Sequence, residues 1–460
     1  MAVNWTREQK QVIEGREKSL LVSAAAGSGK TAVLVERIIQ MITEGENPKD
    51  IDRLLVMTFT RAAAAEMRER IQAAIEKKLE SEPENEHLQQ QAVLVQFAQI
   101  TTIDSFCLHI MREHFDRLDI DPAFRVGDEG EMLLMRADVM DGLLEDYYRD
   151  GGKRYEEFVD AYATGKADGG IAEYVMQVYN FAQSNPWPDA WYEKCREELL
   201  LTEQGELEQT EWMQFLLRDI ALQAQEWKIQ LREAWEICQQ TGGPMPYLPM
   251  IEEDLHHAEA VCGAAGSFET ISEALEQFTF SRLAAIRGKN GEVDPEKKAL
   301  VSDCRSRVKK AVEKLKGEYL FASPEQMLAD MEAGKERILE LLELAQEFGR
   351  RFRAKKKEKN VVDFHDLEHF ALEILTEPEA ECSEVEETSS AEETDQMQGK
   401  NAWTVRVPGT VADELAVQYD EILVDEYQDS NLVQETLIQC ISGERFDRPN
   451  VFMVGDVKQS

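Results

Sequence analysis

Short, continuous apolar runs alternate with helical periodicity at the start of the chain. Ser19-Leu20-Leu21-Val22 and Leu54-Leu55-Val56-Met57-Thr58 have strand length and no polar alternation. The segments that follow them, Lys30 to Met41 and Ala62 to Leu79, carry helical spacing in Ala, Glu, Met and Arg. Strands that read as unbroken apolar runs are buried on both faces, so the pattern predicts βαβ units and a parallel sheet covered by helices. From about Asp121 to Lys359 the pattern becomes one of long charged helices, as in Trp212 to Trp235 and Met327 to Phe352. Two further strand-like runs then appear, Glu421-Ile422-Leu423-Val424 and Val451-Phe452-Met453-Val454. The expected architecture is α/β, with a large, mainly helical insert over 121–359 splitting an α/β domain into 1–120 and 360–460.

Composition narrows the possibilities. The 460 residues include 90 acidic and 51 Lys or Arg, a formal net charge of −39, which excludes a simple basic nucleic-acid coat. With 43% hydrophobic residues the chain can build a core for each of about three folding units of ~150 residues. No run approaches the roughly 20 apolar residues of a bilayer span, and Met1-Ala2-Val3-Asn4-Trp5 does not open like a signal sequence. No membrane association and a cytoplasmic location are expected. The seven scattered cysteines form no C-x-x-C pair, so reduced thiols are expected. Glu377 to Asp395 holds nine acidic residues and no Lys or Arg, and residues 377–400 read as a solvated, disordered loop. The sequence ends at Ser460 just after a strand, where βαβ grammar expects a crossover, and reads as part of a longer protein.

The strongest chemical signal is Ser23-Ala24-Ala25-Ala26-Gly27-Ser28-Gly29-Lys30-Thr31, between a strand and a helix. Glycines there let backbone N–H groups turn inward as an anion nest, and the helix N-terminus adds partial positive charge. Lys30 can reach the β and γ phosphates, and the Thr31 hydroxyl can join a magnesium shell. Ala24 stands where the strict phosphate-loop pattern has Gly. The complementary half is Ile422-Leu423-Val424-Asp425-Glu426-Tyr427-Gln428-Asp429. Its strand delivers Asp425, a candidate metal ligand, to the carboxyl edge of the sheet, with Glu426 beside it as candidate general base for water. The two halves are expected to meet across adjacent strands around one triphosphate and its cation.

With these residues in hand the chain resembles the superfamily 1 DNA helicases of the UvrD, Rep and RecB kind, whose second motif reads D-E-x-Q-D, here Asp425 to Asp429. The wording Leu21 to Arg37, Ala62 to Met67 after Thr58-Phe59-Thr60, and Met453 to Ser460 is similar to the AddA-type subunits of bacterial helicase–nucleases. The resemblance implies a P-loop NTPase (RecA-like) fold using ATP and Mg2+ to translocate on single-stranded DNA and unwind duplex in double-strand break repair. It also implies an AddB-like partner in a heterodimer, and a second RecA-like domain and a nuclease domain outside these residues. ATP binding with weak or no hydrolysis is then expected of this stretch alone. The rivals are a simple UvrD-type helicase without nuclease and a nucleotide-binding scaffold without turnover.

The resemblance also assigns roles. Gln9 would read the adenine edge, Gln428 would sit beside the nucleotide, and Gln459 would sense the γ-phosphate and couple it to DNA. Thr58, Phe59, Thr60 and Arg61 correspond to one DNA-contacting motif, and Thr102 and Phe106 to the next. Asp104 stands where many relatives carry His and is given a helix-capping role. Phe59 and Phe106 either stack on bases or belong to the core. The basic run Arg350 to Lys359, and Lys309-Lys310 with Lys314 and Lys316, either face DNA phosphates or form solvated helix faces. His256-His257 with Cys262 lacks the spacing of a metal site.

Overall fold

The computed structural model describes residues 5–16, 18–25, 27–45, 47–163, 169–201, 204–264, 266–286, 293–378 and 406–456. Its centre is a five-stranded sheet. Numbered along the chain, the strands are β1 (Leu20–Ser23), β2 (Leu54–Thr58), β3 (Ile100–Thr102), β4 (Glu421–Val424) and β5 (Val451–Gly455). The spatial order is β1-β5-β4-β2-β3 and every pairing is parallel. The four apolar runs became four of these strands. The fifth, β3, has only three residues, two of them threonine, too short to register as an apolar run.

Both faces of the sheet are covered, which is why the strands lack polar alternation. Leu55, Met57, Ile422 and Val424 pack with Phe106, Leu372, Leu415 and Leu437 on one face. Leu54, Val56, Leu423, Phe452 and Val454 pack with Leu34, Ile38, Met67 and Ile71 on the other. Burying these aliphatic and aromatic side chains, each worth roughly 1.5–3 kcal/mol, fixes the sheet register. That register aligns Ser23 with Gly455 and Met57 with Val424, so the ends of β1, β5, β4 and β2 share one carboxyl edge.

The chain forms two compact units, one of Met1–Glu193 with Leu341–Ser460, the other of Lys194–Glu340. The first contains the sheet and also the Glu129–Asp150 and Gly169–Gln183 helices. Aromatic packing holds part of this unit together: Tyr179 meets Phe348 edge-on at 5.0 Å, and the Arg136 guanidinium lies over Phe352 at 5.4 Å. The second is helical, with Leu217, Trp227 and Leu231 of the long Glu211–Gln239 helix in its core beside Val308 and Val312. No helix among the described residues is long and apolar enough to cross a membrane. Glu377 and Pro378, the first residues of the acidic stretch, belong to a short antiparallel pairing of Thr376–Pro378 with Arg406–Pro408 rather than to a loop. The remainder of that stretch, 379–400, lies outside the described residues.

Candidate functional site

The phosphate-loop segment leaves β1 at Ser23 and enters the Lys30–Thr43 helix. Gly27 and Gly29 have φ of 77° and 83°, the left-handed region where a Cβ is penalised. Their neighbours leave room for a side chain, so conformation rather than space requires glycine here. Gly29 caps the helix without a side-chain bond, leaving the first-turn N–H groups open toward the loop. The loop is tied to β5 by the Ala24 N–H, which donates to the Gly455 carbonyl at 3.0 Å. Ala26 lies outside the described residues.

The acidic pair follows β4 at the same edge. Asp425 is buried, and its N–H donates to the Met57 carbonyl of β2 at 2.9 Å. The Thr31 hydroxyl donates to Asp425 Oδ2 at 3.3 Å, and Lys30 Nζ lies 3.0 Å from Glu426 Oε2. The phosphate-loop pair and the acidic pair thus converge from 394 and 396 residues apart in sequence. They do not sit on adjacent strands, as the motif order suggested: β5 lies between β1 and β4. The reach of Lys30 and Thr31 from the helix start spans that extra strand.

Environment separates the two acids. Burial pushes the Asp425 carboxyl above its usual range, and the charge of Glu426 adds to this. The hydrogen bond from Gln428 holds Glu426 below the usual range, helped by Lys30. Among the described residues no cation lies at ion-pair distance from Asp425, so a buried carboxylate and a hydroxyl share a spot that a divalent cation would suit. Glu426 has φ of 53°, a left-handed backbone that turns the chain sharply out of the strand.

Two glutamines frame this centre. Gln428 Nε2 donates to Glu426 Oε2 at 2.9 Å, while its Oε1 accepts the Asp456 N–H at 2.9 Å. It therefore joins the acidic turn to the end of β5, and a Cβ on Gly455 would come within 3.1 Å of Gln428. Gln9 closes a capping box with Thr6 and donates to the Ser28 carbonyl at 3.2 Å, which places its amide against the phosphate loop. Gln459 lies outside the described residues. Arg37, which no motif marks, is a guanidinium that is 1% exposed and donates to Glu421 at 2.6 Å and to the Val12 carbonyl at 2.7 Å. Its signal was an arginine within the apolar face Leu34-Val35-Ile38.

The UvrD/REP helicase N-terminal domain family matches residues 5–460, nearly the whole chain. The chain belongs to this family. Curated bacterial relatives, each named as a subunit of an ATP-dependent helicase/nuclease, are similar throughout. The protein from Lachnoclostridium phytofermentans is 43% identical over 99% of this chain and 32% of its own length. That from Clostridium beijerinckii is 40% identical over 99% and 35%, and that from Oceanobacillus iheyensis 39% over 100% and 35%. The chain therefore spans about a third of the length of these relatives.

The segments expected from the sequence to contact DNA leave the same sheet edge. Thr58 ends β2, is buried, and donates from Oγ1 to the Thr60 carbonyl at 3.1 Å. Thr60 caps the next helix by accepting from the Ala63 N–H, and Phe59 is 46% exposed beside it, with Arg61 exposed at the helix start. Thr102 ends β3, is mostly buried, and caps its helix through the Ser105 N–H at 3.2 Å. Thr102, not Asp104, is therefore the cap; Asp104 lies inside the first turn, where a carboxylate still meets the positive helix end. Phe106 is fully buried and meets Tyr419 edge-on at 6.2 Å, so its ring belongs to the core and not to a base stack.

The basic runs are largely consumed within the protein. Arg351 pairs with Asp146 and Glu347, Lys355 with Glu358, and Lys357 with Asp119. Lys356 is buried between Asp363 and Asp366, at 3.1 and 2.6 Å. Lys309 and Lys314 make pairs along their own helix, and Lys316 donates to the Phe278 carbonyl. Such pairing describes solvated or structural helix faces. His257 stacks on Phe278, and no group of three or more His, Cys, Asp or Glu side chains placed to hold a metal ion occurs among the described residues.

Proposed function

We propose that this chain is the nucleotide-binding portion of an ATP-dependent DNA helicase–nuclease, which translocates on single-stranded DNA and unwinds duplex in double-strand break repair. In this reading residues 1–120 and 360–460 make the ATPase domain around the helical insert. The observation that carries it is the convergence of Lys30 and Thr31 with Asp425 and Glu426 at one sheet edge.

The residues divide the work by charge. The N–H groups around Gly29 and the first turn of its helix, Lys30 and Thr31, cradle the phosphates, and Gln9, held against the loop at Ser28, is the proposed adenine reader. On nucleotide entry Lys30 exchanges Glu426 for the β and γ phosphate oxygens, which frees the Glu426 carboxylate to accept a proton from the attacking water. Held below its usual range by Gln428, Glu426 is ionised and ready as a base at neutral pH. Thr31 and Asp425 would hold Mg2+, which supplies charge neutralisation on the phosphate oxygens. Gln428, bonded to both Glu426 and the backbone of Asp456, links the base to the end of β5, and Gln459 beyond it is the proposed γ-phosphate sensor. Thr58 to Arg61 at the end of β2 and Thr102 at the end of β3 are the proposed DNA-contacting groups, with Phe59 the aromatic free to stack. An AddB-like partner and a cytoplasmic location complete the proposal.

The deciding experiment is ATPase and unwinding by the full-length protein carrying Glu426→Gln. ATP binding retained with turnover and unwinding lost is the expected result. Unchanged turnover would remove the motor reading, and binding without turnover in the unaltered protein would favour a nucleotide-binding scaffold.

A further inference from the structure

The sheet has a second, opposite edge. There a cavity of about 620 Å³ opens beside the first residues of two strands, Leu54 and Glu421, and beside Asn450, which precedes β5. Because the strands are parallel, this places it at the amino edge, a strand length of roughly 13–17 Å from the carboxyl edge that holds Lys30 and Asp425. Five cationic side chains line it: Arg16, Lys18, Arg37, Lys49 and Arg448.

Their charges are unevenly answered. Lys49 pairs with Asp420 at 3.0 Å, and Arg37 with Glu421 at 2.6 Å. Arg16, Lys18 and Arg448 have no carboxylate at ion-pair distance among the described residues. Arg16 donates instead to the carbonyls of Ile13 and Gly15, and Arg448 to that of Ala416. Arg448 lines the cavity, and its Nε is buried with no acceptor. Burial and the like charge of Arg37 hold the Arg16 guanidinium below its usual range against the smaller opposing pull of Glu421 and Glu14, so an incoming anion would relieve a repulsion already present. Glu14 and Glu44 also face the cavity, but both are exposed, and Glu44 reaches out to Lys78 at 3.7 Å.

We infer that this amino-edge cavity is a second, non-catalytic anion site that takes a phosphorylated small molecule through its phosphate groups. Guanidinium and ammonium donors together match phosphate oxygens in number and charge. The volume lies within the range of roughly 300–1,000 Å³ typical of small-molecule sites. In a chain of net charge −39, a cavity where three of five lining cations have no ion-pair partner among the described residues marks a local preference rather than a general one. The inference is independent of whether the carboxyl edge hydrolyses ATP.

Titration calorimetry with pyrophosphate on the full chain tests it, with Lys30→Ala removing binding at the phosphate loop. The expected result is that Lys30→Ala still binds one pyrophosphate, and that adding Arg448→Ala or Lys18→Glu weakens this residual binding at least tenfold. Lys18 is exposed, so its variant keeps the test valid if Arg448→Ala fails to fold. Parallel titrations with inorganic phosphate and AMP identify which phosphate source is preferred. Loss of all binding in Lys30→Ala, residual binding indifferent to Lys18→Glu, or preference for a single-stranded oligonucleotide over pyrophosphate would each overturn the inference.

Discussion

Lys30 Nζ rests 3.0 Å from Glu426 Oε2, so the proposed phosphate-binding cation and the proposed base neutralise each other. The lysine side chain is 8% exposed and the glutamate 38%, an ion pair at the boundary between site and solvent. In the proposed mechanism, nucleotide binding breaks this pair before either residue acts.

Replacement of Glu426 by Gln therefore has two separable effects. Turnover should fall by roughly 10²–10⁴-fold through loss of the base. ATP affinity should hold or rise by up to about fivefold, since a half-exposed pair is worth roughly 0–1 kcal/mol. Lys30→Ala should instead weaken ATP by roughly ten- to a hundredfold, as loss of a charge-assisted phosphate contact. Fluorescent-nucleotide titration alongside steady-state ATPase separates the two.

Gly29→Ala should destabilise the chain by roughly 1–2 kcal/mol, the cost of holding an L residue in the left-handed region. The added methyl would make only ordinary contact with Gln9, at 3.7 Å, so a steric explanation is excluded. Urea unfolding reports the cost, and weaker ATP binding at temperatures where the variant is folded reports the displaced N–H groups.

Phe59→Ala and Phe106→Ala should part company. Phe106 fills the core, and its truncation should cost roughly 3–5 kcal/mol of stability. Phe59 is half exposed, so its truncation should leave unfolding nearly unchanged. It should weaken single-stranded DNA binding by roughly 1–3 kcal/mol if the ring stacks on a base. Unfolding midpoints and fluorescence anisotropy on the same samples read both quantities.

Arg37→Met should destabilise by roughly 3–5 kcal/mol, because it strands the buried Glu421 carboxylate without its partner. The double variant Arg37→Met with Glu421→Leu should recover most of the loss. A double-mutant cycle in urea measures the recovery, and equal loss in single and double variants would remove the buried-charge explanation.

Burial opposes the charge on Asp420, but hydrogen bonds from Arg53 and Lys49 overcome it and hold its carboxyl below the ordinary aspartate range. A depressed folded-state value stabilises the fold at every pH above the unfolded value of about 4, and the gain disappears as pH falls through the lower folded value. Asp420→Asn should thus lower the urea midpoint at pH 7 by a modest, pH-independent amount. Wild type and variant should converge in acid below pH 4.

Local sequence determined much of this protein. The apolar runs of β2 and β4 had to be buried strands, Gly27 and Gly29 had to supply left-handed turns, and the Lys-Thr and Asp-Glu pairs announced phosphate and cation chemistry. Periodicity and residue type are local properties, so they survive in a one-dimensional reading. Tertiary structure alone decided that β5 separates β1 from β4, that the three-residue β3 joins the sheet, and that Phe106 faces inward while Phe59 does not. It also decided that Lys356 and Arg351 are spent on carboxylates, while Arg16, Lys18 and Arg448 at the opposite edge have no ion-pair partner among the described residues. Strand order, side-chain orientation and charge pairing depend on residues hundreds of positions apart, and only packing brings those residues together.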